Sequence, residues 1–196
     1  MQLARLHYTG GGDWYNDPEV LPNLAKFANK ELNTKLSLNE KIVKLTDADL
    51  PDFPFIYMTG HGNVKFSDRE IDNLRDYLLS GGFLYCDDDY GIDKSFRKEI
   101  KKVFPNRELV ELPIEHDIFK CYFKFLQGTP KIHEHDNKRP QTFAIFDDFG
   151  RIMVLYTYET NISDGWADYS THQNSDQTRE KALQFGTNIL YYLVAE

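Results

Sequence analysis

Apolar residues in the first half of the chain fall into short continuous blocks separated by stretches with helical spacing. Leu3-Ala4-Arg5-Leu6-His7-Tyr8 reads as a strand, stopped by Gly10-Gly11-Gly12. From Pro22 to Leu32, the positions of Leu24, Phe27, Ala28 and Leu32 predict a helix with proline near its start. Ile42-Val43-Lys44-Leu45 predicts a short strand, and Phe55-Ile56-Tyr57-Met58 a fully buried one ended by Gly60. Ser67-Asp68-Arg69-Glu70 is a capping box opening a helix to Leu79, with Ile71, Leu74 and Leu78 on one face. After Gly81-Gly82, Phe83-Leu84-Tyr85-Cys86 is another buried strand, and Ile92 to Val103 a helix stopped before Pro105.

The second half is patterned differently. Leu109–Leu112, Ile118–Phe125, Thr142–Phe146 and Ile152–Tyr158 read as strands, the last two joined as a hairpin through Asp147-Asp148-Phe149-Gly150. A polar excursion at about 126–141 separates the second of these strands from the third, and an amphipathic helix from Asp176 to Val194 closes the chain. Strands alternating with helices predict an α/β fold with a mostly parallel sheet, covered on both faces in a doubly wound, flavodoxin-like arrangement. A C-terminal hairpin and closing helix complete it. No repeat or linker divides the chain, so 1–196 is expected to be a single domain.

Charge and composition narrow the partners. A net charge of -8 repels phosphate backbones and argues against nucleic acid as a partner. No apolar run approaches the ~18 residues that span a bilayer. The two cysteines, Cys86 and Cys121, match neither a disulfide scaffold nor a zinc motif. Met1 leads directly into a strand without signal-peptide features, as expected of a cytoplasmic protein or of a chain from which a leader was removed.

Chemistry concentrates where strands end. Gly10-Gly11-Gly12-Asp13-Trp14-Tyr15-Asn16-Asp17 follows the first strand, and Thr59-Gly60-His61-Gly62-Asn63 the strand at Phe55. Asp87-Asp88-Asp89-Tyr90-Gly91 follows the strand at Phe83; Glu159-Thr160-Asn161 and Asp164-Gly165-Trp166 follow the last. Ligands in open α/β sheets bind outside the carboxyl ends of the strands, so parallel strands would put all four clusters on one rim.

The triple glycine is either a flexible turn or a close backbone approach to a ligand; it is no P-loop, because no Lys-Ser/Thr follows. His61 between two glycines suits a sharp bend within a site. Three adjacent aspartates repel one another unless a cation or a helix N-terminus receives them. His61, Asp87, Asp88 and Glu159 are the candidate catalytic groups. Gly11, Gly12, Asp13, Trp14, Tyr15, Asp89, Tyr90 and Trp166 are candidate ligand contacts. Aromatic rings beside carboxylates suit a glycan- or peptidoglycan-like ligand, since rings stack on sugar faces while carboxylates accept hydroxyl hydrogen bonds. If these groups catalyse, the expected chemistry is general acid–base hydrolysis. A non-catalytic module for an envelope protein partner is the alternative.

His133-Glu134-His135-Asp136 would place both histidines on one strand face, a spacing that can hold a metal. Folded back over the rim, His133 and His135 with Asp88 would form a mixed site for a divalent ion; the alternative is a solvated loop without a ligand and aspartates that cap a helix.

Gly11-Gly12-Asp13-Trp14-Tyr15, Tyr57-Met58-Thr59-Gly60-His61-Gly62, Gly81-Gly82-Phe83-Leu84, Lys131-Ile132-His133-Glu134-His135-Asp136 and Tyr156-Thr157-Tyr158-Glu159-Thr160 occur in order along the chain. Together they resemble the bacterial domain of unknown function 4159 family over nearly the whole length. The resemblance implies a class I glutamine-amidotransferase-like three-layer sandwich and a periplasmic or envelope setting. It departs from active amidotransferases at the strand-to-helix elbow, where Asp87 follows a strand-borne Cys86, and after the last strand, which lacks their histidine. Glutamine hydrolysis is therefore not expected.

Overall fold

The computed structural model describes residues 1–195. Seven strands form one sheet: β1 (Ala4–Leu6), β2 (Lys41–Val43), β3 (Phe55–Met58), β4 (Phe83–Asp87), β5 (Val110–Glu111), β6 (Gln141–Phe146) and β7 (Ile152–Tyr158), in the order β2-β1-β3-β4-β7-β6-β5. The helices are α1 (Val20–Leu32), α2 (Asp68–Leu79), α3 (Asp93–Val103), the single turn α4 (Tyr169–His172) and α5 (Asp176–Ala195).

The sheet is mixed rather than mostly parallel, which corrects the expectation. β2, β1, β3, β4 and β7 run parallel, whereas β6 is antiparallel to both β7 and β5. The cause lies in the connections. The turn between Phe146 and Ile152 is too short for a crossover and can only reverse the chain, so β6 must pair antiparallel with β7.

A second correction concerns Ile118–Phe125, which forms no strand. Asp117–Phe119 is one turn of 3-10 helix, and Asn188 of α5 satisfies the backbone that a ladder would have used. Its amide nitrogen donates to the carbonyls of Ile118 (2.9 Å) and Phe123 (2.8 Å), and its Oδ1 accepts from Phe123 N at 2.7 Å. Once those groups are paired, no edge remains to recruit a strand.

Alternating side chains along the central strands build two cores. Ile56, Met58, Leu84 and Cys86 face α2 and α3 through Leu74, Leu78, Phe96 and Ile100. Phe55, Tyr57, Phe83 and Tyr85 face α1 and α5 through Leu21, Leu24, Phe185 and Ile189. Each such buried side chain contributes about 1.5–3 kcal/mol. The capping box forms as the spacing predicts: Ser67 Oγ accepts from Glu70 N, and Glu70 Oε2 accepts from Ser67 N at 2.8 Å. Among the described residues, no helix is long and apolar enough to cross a membrane.

Candidate functional site

Because β1, β3, β4 and β7 are parallel neighbours, their carboxyl ends open onto one rim, and Asp89 is where the four loops meet. Asn16, from the β1 loop, donates through Nδ2 to Asp89 Oδ2. His61, from the β3 loop, places Nδ1 3.4 Å from Asp89 Oδ2 and 3.1 Å from Asp13 Oδ2. Asn161, after β7, donates from Nδ2 to Asp89 Oδ1 at 2.7 Å and to Asp164 Oδ2 at 3.1 Å.

Glycine permits this closeness. Gly60 has φ +138°, and a Cβ there would lie 2.8 Å from Asp13 Oδ1, the oxygen that accepts from His61 N. Gly12 is equally constrained: its N–H donates to Asn63 O at 2.9 Å, and a Cβ would lie 2.8 Å from His61 O. The triple glycine thus docks the β1 loop onto the β3 loop.

The three consecutive aspartates diverge. Asp87 is fully buried, accepting from Ser163 N and Ser163 Oγ, each at 2.7 Å, and from Thr157 Oγ1. Burial raises its pKa despite those donors. Asp88 turns to the start of α3, where Oδ1 accepts from Ile92 N (3.1 Å) and Tyr90 N (3.2 Å); burial pushes its carboxyl up to about 6. Asp89 is also buried.

Burial, with Asp164 next to it, drives the Asp89 pKa upward. Asp164 is pushed upward by its own burial, but hydrogen bonds from His133 and Asn161 outweigh this and hold it below the usual carboxylate range. The two neighbouring buried carboxyls therefore titrate as a pair, burial and mutual repulsion disfavouring a charge on both at once.

Asp164 anchors a second layer. His133 Nδ1 lies 2.7 Å from its Oδ2, and the carboxylate raises the His133 pKa by accepting that hydrogen bond. His172 Nε2 lies 3.6 Å from Asp164 Oδ1 and 2.6 Å from Asp17 Oδ2. Asp17, Asp164 and His172 each offer one ligand atom, all within 4.8 Å of one another, so a divalent ion would find a mixed oxygen and imidazole set here.

The other sequence candidates are dispersed. Asp88 and His133 serve different neighbours, α3 and Asp164 respectively. His135 Nε2 lies 2.6 Å from Asn161 Oδ1, and its ring stacks on Tyr90 at 4.7 Å. Glu159 is buried between Lys131 (3.6 Å) and Lys138 (3.7 Å) and accepts from Asp136 N, which pins the excursion to the end of β7. Trp166 is fully buried, its Nε1 donating to Ala182 O at 2.9 Å, so it lines the core rather than the rim. Trp14 is half-buried and stacks on His7, while Tyr15 and Tyr90 stand 64% and 50% exposed. Gly11 has open space where a side chain would project.

Arg5, Asn16, Asp17, Asn161, Asp164 and His172 also build the site, though the sequence does not single them out. The buried Arg5 shapes the β1 loop, donating to Asn16 O (2.6 Å) and Asp17 O (2.9 Å) while paired with Glu40. A charged residue inside an apolar strand was its only signal. Asn16, Asp17, Asn161 and Asp164 lay inside the strand-end clusters, but nothing in their spacing marked them above their neighbours.

No curated protein matches this chain. The family model for a domain of unknown function, DUF4159, matches residues 2–194, and the chain belongs to that family.

Proposed function

We propose that the rim binds a carbohydrate- or peptidoglycan-like ligand and hydrolyses it, with His61 as general base. The observation that carries this reading is His61 itself. Its side chain is half exposed, and its Nδ1 sits between the carboxylates of Asp13 and Asp89. Two acceptors on one ring nitrogen orient the imidazole and leave Nε2 to take a proton from water. The exposed rings of Tyr15 and Tyr90 offer stacking faces for sugar. A divalent ion on Asp17, Asp164 and His172 would lower the pKa of a bound water.

The scaffold reading goes with it. Helices on both faces of the sheet support a flavodoxin-like, amidotransferase-like sandwich. Cys86, fully buried with its thiol pushed up by burial and by Asp88 and Asp87, fits a structural residue better than an amidotransferase nucleophile. The family resemblance favours an envelope location.

The second reading, a non-catalytic interaction module, draws support from the mutual hydrogen bonding of Asp13, Asn16, His61, Asp89, Asn161 and Asp164. One assay separates the two. Peptidoglycan fragments and neutral oligosaccharides are offered to wild type, His61→Ala and Lys26→Ala. The hydrolase reading expects turnover by wild type and Lys26→Ala, reduced about 10²–10⁴-fold in His61→Ala. Binding without turnover keeps the carbohydrate ligand and overturns hydrolysis, and absence of both overturns the carbohydrate reading and favours the protein-interaction module.

A further inference from the structure

Beside the acidic rim lies a basic groove that the proposed hydrolysis does not use. A cavity of about 570 Å³ opens between the β3 loop and α3, lined by Gly10, Asn63, Lys65, Lys94, Lys98 and Lys102 among others. In a chain of net charge -8, four ammonium groups around one cavity are a marked local reversal. Glu99 is the one carboxylate in the lining; it is buried, holds Lys102 at 2.6 Å and accepts from Phe66 N at 3.0 Å. Among the described residues, Lys65, Lys94 and Lys98 have no carboxylate at ion-pair distance. Three positive charges thus stand uncompensated around the groove.

Lys94, Lys98 and Lys102 follow one another at i, i+4 and i+8 on α3, a spacing that stacks like charges along one helix face. Such a stripe costs the isolated helix stability, and an anion seated across it removes the repulsion. Lys65 comes from another element. Its backbone N–H bonds Thr9 O at 2.7 Å, and the neighbouring Val64 N donates to Ser95 Oγ at 3.0 Å, so the loop carrying Lys65 is fastened to both the loop after β1 and α3. The lysine positions are therefore fixed relative to one another at their backbones.

We propose that this groove binds a multivalent phosphoryl anion. Three uncompensated ammonium charges exceed what a single carboxylate would neutralise, whereas a pyrophosphate or a clustered phosphomonoester matches them. Lysine suits phosphate as a compact point charge with three donors. The groove meets the rim through Gly10 and Asn63, which belong to the same loops as Asp13 and His61, yet the binding stands whether or not the rim is catalytic.

The test uses the whole chain and two phosphate sources. Calorimetry with pyrophosphate at about 50 mM salt, where exposed charges are weakly screened, measures the soluble arm. Co-sedimentation with phosphatidylcholine vesicles, with and without phosphatidic acid, measures the headgroup arm. Wild type is expected to bind in at least one arm, which names the source. Lys94→Ala/Lys98→Ala should weaken that binding about tenfold or more, and Lys65→Ala should weaken it from the opposite wall. Lys26→Ala/Lys35→Ala, which removes the same charge elsewhere, should leave it unchanged. Absence of wild-type binding in both arms overturns the proposal, as does equal loss in the two double variants.

Discussion

At the carboxyl ends of β1, β3, β4 and β7, buried carboxylates and histidines bond one another across four loops. Beside Pro54 and Gly82, the residues that lead into β3 and β4, the chain instead leaves a cavity of about 610 Å³, lined by Leu45, Leu50, Pro51, Pro54, Tyr77 and Gly82 among others. The first region is held by charge-assisted hydrogen bonds between distant residues. The second is held mainly by packing and by bonds to backbone carbonyls, such as Tyr77 Oη to Phe53 O at 2.7 Å and Arg151 Nη1 to Gly82 O at 2.9 Å. A cavity by itself marks no chemistry, and a reactive cluster needs no cavity. The two regions should also respond differently to mutation and to pH, because only the first buries carboxyl groups whose titration falls in the range where the protein is handled.

Asp87→Ala gives the largest expected effect. Asp87 accepts three hydrogen bonds, and its removal leaves Ser163 N–H and Oγ buried without their acceptor. Thr157 keeps its contact with Tyr85 Oη at 2.9 Å, and the cost of holding a buried carboxylate disappears, so part of the loss is offset. A net destabilisation of about 2–4 kcal/mol is expected from urea unfolding. A loss below about 1 kcal/mol would mean that the rim is no more dependent on its polar network than the opposite region is on packing.

What could be read from the sequence follows the same division. The blocks Phe55–Met58 and Phe83–Cys86, the Ser67–Glu70 box and the placement of polar clusters after strands are local patterns, and each maps directly onto an element or a loop. The network is not local. His172 reaches Asp17 across 155 positions, and Asn188 replaces a strand ladder for residues more than 60 positions away. Asp87, Asp88 and Asp89 look alike as letters. The pleat of β4 sends Asp87 to one face and the start of α3 captures Asp88, so of the three only Asp89 meets Asn16, His61 and Asn161. Only the tertiary turn of the chain makes that distinction.

Asp88→Asn sharpens the comparison with an effect of opposite sign. The native carboxyl titrates at about 6 because burial disfavours its charge, whereas in the unfolded chain it returns to the ordinary 3.8. A raised native pKa means that the folded protein holds the proton more tightly. The contribution is thus fully present below pH 3.8 and lost as pH rises through about 6. Asparagine keeps an oxygen for Ile92 N and Tyr90 N without a charge to bury. The variant should be more stable than wild type by about 1–3 kcal/mol at pH 7 and nearly equal to it at about pH 4. Unfolding curves at the two pH values check this; an identical difference at both would remove Asp88 from the pH-dependent region.

Tyr77→Phe in the opposite region should give the smallest effect and the flattest profile. Burial drives the Tyr77 hydroxyl pKa upward, far from neutrality, so it stays protonated in both folded and unfolded chains across pH 5–8. Its loss removes one donor to Phe53 O. Phe83 N, which also approaches the hydroxyl at 3.3 Å, keeps its bond to Pro54 O at 3.0 Å and is not orphaned. The expected cost is about 1 kcal/mol, constant over that range. Because the phenyl ring remains, the cavity wall and the contact with Gly82 are preserved, and the measurement isolates the hydroxyl. A cost that changed with pH would show that titrating groups of the rim reach Tyr77 through the sheet, and the two regions would then be one electrostatic unit.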